Sequence, residues 1–373
     1  MNIAIDAFSL SEKASSGISN YLKNMASVIM ERDRHNNYFL YTRNSFDFSS
    51  YANCMLRCAD TFGEASGSHR NTLWLFSKGV QLMVKDKIDV FWAARQMLPP
   101  YVPAAIKKVL TVYDLVWYYY PETMNRYNRL VSKLIFKKSI DKADHIITIS
   151  KASADALREV LNVPDNKITI AYPAADRFAP LDKVASSEFI AQKYGANKNY
   201  ALTVSTVEPR KNLGTLLRAF SGQKIPDIQL LIAGASGWKT TSIYSEYRNF
   251  GLSEERIKFL GYVPDEDMNR LYSGAQLFVF PSIYEGFGMP PLEAMASGTP
   301  VIASNSSSLP EIAEGSGILL DPCDVDAWRD AILTVMSDES LQDAMIKKGL
   351  KKAKLFSWEK SAEQILNIFE KFS

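Results

Sequence analysis

The chain has 373 residues, 47% of them hydrophobic and 23% charged, with a formal net charge of +2. That length suits two domains of ordinary size, and that composition belongs to a folded globular protein, which excludes a disordered one. No apolar run reaches the roughly 18 residues of a membrane-spanning helix. The balance of charge is also too mild for a duplex-binding protein, so no nucleic-acid partner is expected.

Cys54, Cys58 and Cys323 are too few and too scattered for a disulfide framework. Cys54 and Cys58 could share one helical face, but no further Cys or His pair completes a zinc set, so reduced thiols are expected. The charge is unevenly divided. Residues 1–175 carry 22 basic and 16 acidic side chains, a net of +6, and residues 176–373 carry 21 and 25, a net of −4. This asymmetry points to two domains with different partners.

Both halves alternate short apolar runs with amphipathic stretches, the pattern of parallel sheets covered by helices on both faces. The opening Met1-Asn2-Ile3-Ala4-Ile5-Asp6 reads as a buried strand ending in an acid. It lacks the basic start and long apolar stretch of a secretory leader, so a cytoplasmic protein is expected. Ser15-Ser16-Gly17-Ile18-Ser19-Asn20-Tyr21 then turns into a helix over 19–30. Further strands are expected over 38–41, 88–91 and 108–112. The last leads into Tyr113-Asp114-Leu115, where Asp114 either orients a ligand hydroxyl or caps the next turn. A helix over 126–142 carries Arg126, Arg129, Lys133 and Lys137 as one stripe and Leu130 and Leu134 on an apolar one. That face is either solvated or docks on an anionic membrane surface. Strands over 145–149 and 167–171 complete the first half. His145, beside Ile146-Ile147, reads as a core residue.

Pro173 and Pro180 bracket the linker. The expected division is 1–175, 176–356 and a C-terminal helix, 357–373, packing back on the first domain. In the second half, strands are expected over 200–205, 228–233, 257–259, 277–280, 300–303 and 317–320, and helices over 325–337, 339–356 and 358–372. Two doubly wound domains bind ligands at the carboxyl ends of their strands.

Three stretches of the second half carry chemistry. Arg210 and Lys211 follow the strand 200–205, where consecutive cations near a helix start call for an anion. Pro281-Ser282-Ile283-Tyr284-Glu285-Gly286-Phe287-Gly288-Met289-Pro290-Pro291-Leu292-Glu293-Ala294 runs from a strand through a glycine loop into a helix opened by proline. Gly286 and Gly288 allow backbone amides to approach a phosphate, and Glu285 and Glu293 can grip hydroxyls at two points of an extended ligand. Asp265-Glu266-Asp267 imitates an acid–any–acid metal motif, but an N-cap and first-turn acids account for it. No metal and no cofactor are expected.

Glu285 through Glu293 resembles the glutamate–seven residues–glutamate motif of the retaining glycosyltransferase family 4. The similarity continues in Val207-Glu208-Pro209-Arg210-Lys211-Asn212, in Gly298-Thr299-Pro300-Val301-Ile302-Ala303, and in Leu309-Pro310-Glu311 followed by Gly317-Ile318-Leu319-Leu320-Asp321-Pro322. The resemblance implies an α/β chain of the GT-B fold, two Rossmann-like domains facing across a cleft. The first would bind the acceptor and the second the nucleotide sugar. It further implies that Glu285 holds hydroxyls of the donor sugar and Glu293 the ribose. Amides of Gly286, Phe287, Gly288 and Met289 would meet sugar and phosphates. The Gly17 loop would lie near acceptor and diphosphate, unless it is a plain turn. Tyr113 stands where many relatives have histidine, beside Asp114; a tyrosine cannot serve as a base at neutral pH.

The implied reaction is front-faced. The leaving phosphate, held by Arg210 and Lys211, takes the acceptor's proton, and no protein nucleophile is needed. The layout of Tyr113-Asp114-Leu115 and Tyr120-Pro121-Glu122 is similar to bacterial surface-polysaccharide mannosyltransferases. GDP-mannose is the expected donor, with a UDP-hexose as alternative, and the acceptor a saccharide, free or polyprenyl-diphosphate-linked. An epimerase, a pyridoxal-phosphate phosphorylase and a non-catalytic sugar-nucleotide-binding protein remain rivals on the same fold.

Overall fold

The computed structural model describes residues 1–11, 17–42, 51–58, 68–123, 135–222, 225, 228–238 and 240–373. Ser15 and Ser16, and Arg126, Arg129, Leu130, Lys133 and Leu134 of the expected basic helix, lie outside them; residues 135–142 are helical. The chain divides into two compact units, Met1–Pro173 with Trp358–Ser373, and Ala174–Ser357.

The first unit holds a seven-stranded sheet of β1 (Asn2–Asp6), β2 (Asn37–Thr42), β3 (Cys54–Cys58), β4 (Val90–Ala93), β5 (Lys107–Val112), β6 (His145–Thr148) and β7 (Ile168–Ile170), in the order 3-2-1-4-5-6-7. The second holds β8 (Tyr200–Val204), β9 (Gln229–Ala233), β10 (Ile257–Gly261), β11 (Leu277–Phe280), β12 (Val301–Ser304) and β13 (Ile318–Leu320), in the order 10-9-8-11-12-13. Every ladder is parallel. The central strands β4 and β11 are buried along their whole length, which is why they read as unbroken apolar runs with no polar alternation.

Two expectations shift. The strand expected over 88–91 begins at Val90, because Lys87 takes a left-handed φ of 52° and the Ile88 amide turns back to the Met83 carbonyl. β3 was not expected at all. It is a half-exposed edge strand whose Arg57 is held by a two-pronged pair to Asp86 (2.8 and 2.9 Å), so its support comes from a distant partner and not from its own sequence. Cys54 and Cys58 therefore stand on this strand, not on a helical face.

Each unit has its own core, around Phe91, Leu110 and Ile146 in the first and around Leu216, Leu230 and Trp328 in the second. The C-terminal helix Trp358–Glu370 buries Trp358, Ala362, Ile365 and Phe369 in the first unit, a one-faced stripe of helical period. Trp358 meets Tyr21 edge-on at 5.6 Å, Phe369 meets Trp92 at 6.1 Å, and the Ser361 hydroxyl donates to the Tyr172 carbonyl at 2.7 Å. His145 is buried against Thr169 (2.8 Å); burial, with Lys371 and Lys167 nearby, pushes its pKa down to about 4, so the ring is neutral at physiological pH.

Candidate active site

In the second sheet β8 and β11 are neighbours from which the strand order runs outward in opposite directions, so a crevice opens at their carboxyl ends. Both loops that leave this point carry the charged residues. After β8 comes a short turn, Pro209–Lys211, closed by Asn212 in the left-handed conformation (φ 52°). The Asn212 amide side chain reaches the carbonyls of Pro281 (3.2 Å) and Pro322 (2.6 Å), tying the turn to the loop after β11 and to the loop after β13.

The turn and the β11 loop are joined at several points. The Ile283 amide donates to the Arg210 carbonyl (3.0 Å), and Nη1 of Arg210 donates to the Tyr284 carbonyl (2.5 Å) and approaches Glu285 Oε2 (3.3 Å). Nζ of Lys211 lies 2.6 Å from Glu285 Oε1, and Nη2 of Arg210 lies 2.7 Å from Glu208 Oε1. Two cations and two carboxylates thus form one nearly buried, charge-balanced cluster. Burial alone would raise the Glu285 carboxyl; Lys211 and Arg210, with hydrogen bonds from Lys211 and Ser282, outweigh it and hold the pKa below the ordinary value.

Glu293 sits in the helix Met289–Ala296 and has a different environment. Its Oε2 accepts the Tyr272 hydroxyl at 2.8 Å, and Arg177 stands 4.0 Å from Oε1. Here burial dominates. It raises the carboxyl above its ordinary value, against the lowering effect of Tyr272 and Arg177. Gly288, the residue before this helix, has φ 110°, and a β-carbon there would lie 2.6 Å from Leu309 Cδ2. Phe287 is buried, its ring edge-on to Phe356 at 5.5 Å.

The serines from the last residue of β12 onward brace the same loop. Ser304 and Ser306 donate to the Ser282 carbonyl, Ser307 accepts the Glu285 amide (2.8 Å), and Ser308 reaches the carbonyls of Glu285 (3.0 Å) and Phe287 (2.6 Å). The structure therefore brings Arg210, Lys211 and Glu285 into direct contact and sets Gly286, Gly288, Met289 and Glu293 on the continuation of the same loop and helix.

Comparison with known proteins gives the family. Residues 186–352 match the family model described as glycosyl transferases group 1, and residues 15–177 match that of Glycosyltransferase Family 4. The O-antigen chain mannosyltransferase B of Escherichia coli is 36% identical over 278 residues, covering 72% of each chain. The chain belongs to glycosyltransferase family 4. The serotype-specific mannosyltransferase WbdA of E. coli is 30% identical over 61% of this chain, which spans only 29% of that longer relative. Among solved structures, Anabaena Alr3699/HepE in complex with UDP and glucose superposes with a TM-score of 0.77 at 19% identity over the whole of both chains. The fold of this glycosyltransferase is GT-B, two parallel doubly wound domains.

The rest of the family 4 chain settles several local questions. Asp265-Glu266-Asp267 forms the first turn of the helix Asp265–Ser273, but no side chain caps it, since the residue before the helix is Pro264. The acids are spent instead on Arg177, 3.3 Å from Asp265, and on Lys193 (2.6 Å) and the Tyr194 hydroxyl (2.5 Å), both on Asp267. Among the described residues no group of three or more His, Cys, Asp or Glu is placed to hold a metal ion, and no helix is long and apolar enough to cross a membrane.

In the first unit, Tyr113 is not at the surface. Its ring is buried edge-on to Tyr21 (5.6 Å) and its hydroxyl donates to the Ala94 carbonyl (2.9 Å), so the phenol packs into the core of the first unit. Asp114 accepts the Val116 amide at 3.1 Å, the turn-capping arrangement. Gly17 opens the helix Gly17–Arg32 with nothing within 4 Å of where a β-carbon would stand. Sequence reading did not find the pair of Asp6 and Arg95 (2.9 Å), which joins the ends of β1 and β4, or the roles of Tyr272, Arg177 and Ser304 through Ser308. A row of serines after a strand has no signature of its own; only its partners 21 to 24 residues away reveal what it does.

Proposed function

We propose that the chain transfers mannose, with retention of configuration, from GDP-mannose to a saccharide acceptor in surface-polysaccharide synthesis. What carries the reading is the cluster of Arg210, Lys211 and Glu285 at the point where the strand order of the second sheet reverses. The mannosyltransferase relatives of O-antigen chains supply the sugar, and the UDP-binding structural relative supplies the rival donor, a UDP-hexose.

In this reading the diphosphate lies against the loops after β8 and β11. Arg210 and Lys211 meet the phosphate oxygens, and Glu285 leaves Lys211 to accept hydroxyls of the donor sugar. The bond from the sugar C1 to the phosphate oxygen breaks, and the acceptor oxygen bonds to C1 on the same face. The acceptor's proton passes to the departing phosphate oxygen. Charge then collects on the phosphate, where fixed cations act most strongly. Glu293 holds the ribose, and amides of Gly286 through Met289 approach the phosphates. Asp114 and the Gly17 turn belong to the acceptor side. No divalent metal is required, since the acids that imitate a metal motif hold Arg177, Lys193 and Tyr194. The +6 balance of residues 1–175 favours an acceptor carried on a polyprenyl diphosphate at the inner face of an anionic membrane.

The test is a transfer assay in excess EDTA with GDP-mannose, UDP-glucose and UDP-galactose, using free and vesicle-borne lipid-linked saccharides at low and high salt. GDP-mannose should support transfer without metal, best with vesicles at low salt. Arg210→Ala should lose about 2–4 kcal/mol of transition-state stabilisation, mainly in kcat. Turnover of a UDP-hexose alone would move the donor to the rival reading, and an Arg210→Ala enzyme with unchanged kcat/KM would end the leaving-group role.

A further inference from the structure

Arg210 is held between two carboxylates, and only Glu285 has a part in the reaction just derived. The other, Glu208, is also nearly buried. Its two oxygens are occupied by different partners: Oε1 by Nη2 of Arg210 at 2.7 Å, Oε2 by the indole N–H of Trp238 at 2.9 Å. A carboxylate fixed at both oxygens cannot rotate, so the guanidinium it faces is aimed as well as neutralised.

Trp238 is delivered by a loop built to reach this place. The chain leaving β9 runs beside the chain leaving β8: the Val207 amide donates to the Ala235 carbonyl (3.0 Å), and the Gly237 amide donates to the Val207 carbonyl (3.1 Å). The approach leaves no room for side chains. A β-carbon on Gly234, whose φ is 142°, would lie 2.0 Å from the Ser205 carbonyl oxygen. One on Gly237 would lie 2.7 Å from Thr206 Cγ2 and 2.9 Å from the Val207 oxygen. Two glycines thus press the β9 loop onto the β8 loop, and Trp238 is the first bulky residue after them.

We propose that Trp238 and Glu208 are positioning residues for Arg210, a relay from the β9 loop that sets the guanidinium for the leaving diphosphate. Neither touches substrate. The proposal rests on the leaving-group reading of Arg210 and adds to it the elements that hold the side chain in place. Correct aim matters because small misplacement of a reacting or stabilising group costs large factors in rate.

The experiment is a double-mutant cycle on the full chain, measuring kcat and KM with whichever nucleotide sugar the assay above shows to be turned over. Trp238→Phe keeps the aromatic bulk and removes the N–H. It should lower kcat about tenfold while leaving donor KM within about twofold, the split expected when only a transition-state interaction is lost. Trp238→His, which can again offer an N–H, should recover part of that loss. Glu208→Gln, which keeps the shape and removes the charge, should fall at least as far as Trp238→Phe. In an Arg210→Lys background, where the two-pronged group is gone, Trp238→Phe should change kcat by less than about twofold. Equal losses from Trp238→Phe in both backgrounds, or no loss in the parent, would overturn the relay while leaving the role of Arg210 standing. An Arg210→Lys enzyme with unaltered kcat would remove the leaving-group reading itself, and the relay with it.

Discussion

Glu285 and Glu293 are eight positions apart and equally buried, yet their surroundings push their acidities in opposite directions. Glu285 faces two cations and stays ionised; Glu293 faces a phenol and a more distant arginine, and burial dominates. This difference assigns a distinct outcome to each substitution. Glu285→Gln removes the negative partner of Lys211, so free GDP should bind as well as in the parent or better, while kcat falls by about a hundredfold. In the proposed role on the ribose, Glu293→Gln removes a charged acceptor and should weaken GDP binding by about 1.5–3 kcal/mol. Because the Glu293 carboxyl is raised above its ordinary value of 4.5, it takes up a proton at a higher pH than a free glutamate does. GDP affinity should therefore decline as pH is lowered from 7 toward 5, more steeply than in Glu293→Gln, which has no proton to gain. Calorimetric titration of both variants across that range gives the answer. Weaker GDP binding in Glu285→Gln than in Glu293→Gln would exchange the two roles.

At the scale of elements, two glycines that look alike in the sequence serve differently. Both stand at a helix start in a segment read as ligand-binding. Gly288 has a backbone conformation that L residues rarely adopt, and its missing side chain lets the helix Leu309–Ala313 pack close. Gly288→Ala should cost about 1–3 kcal/mol and lower the melting temperature, whereas Gly17→Ala, with open space around it, should be close to neutral. Equal melting temperatures for the two variants would refute the reading of Gly288. The same contrast shows what the sequence discloses. Strand 277–280 was legible to the residue, because a doubly covered strand must be apolar throughout. β3 was not, because its stability comes from Arg57 meeting Asp86, 29 residues on. Arg210, Lys211, Glu285 and Glu293 were singled out by residue type and spacing, and the structure places the first three in contact. Their supports were not: Trp238 lies 30 residues from Glu208, and Ser307 lies 22 from Glu285, so only folding makes them neighbours. The burial of Tyr113 was not legible for a related reason. Position after a strand does not say whether a ring turns outward or into the core.

Across the whole molecule, the chain builds one unit, leaves it at Pro173, builds a second, and returns at Trp358 to finish the first. Each unit has its own apolar core, while Arg210, Lys211, Glu285 and Glu293 all belong to the second. The stability of the first unit therefore depends on the last residues of the chain, and the cluster of Arg210, Lys211 and Glu285 does not. Phe369 is fully buried against Trp92, and truncating a buried Phe to Ala costs about 3–5 kcal/mol through lost transfer energy and the cavity left behind. That is a large share of the 5–15 kcal/mol that stabilises an ordinary domain. In Phe369→Ala the cost should be confined to the first unit. Amides of β1, β4 and the helix Gly17–Arg32 should exchange faster with deuterium, and those of β8, β9 and β11 should keep their protection. Binding of GDP should stay within about twofold of the parent, and added GDP should raise the melting of the second unit by mass action without restoring the first. Uniform loss of protection in both sheets would mean instead that the two units unfold as one, and that the C-terminal helix stabilises the entire enzyme.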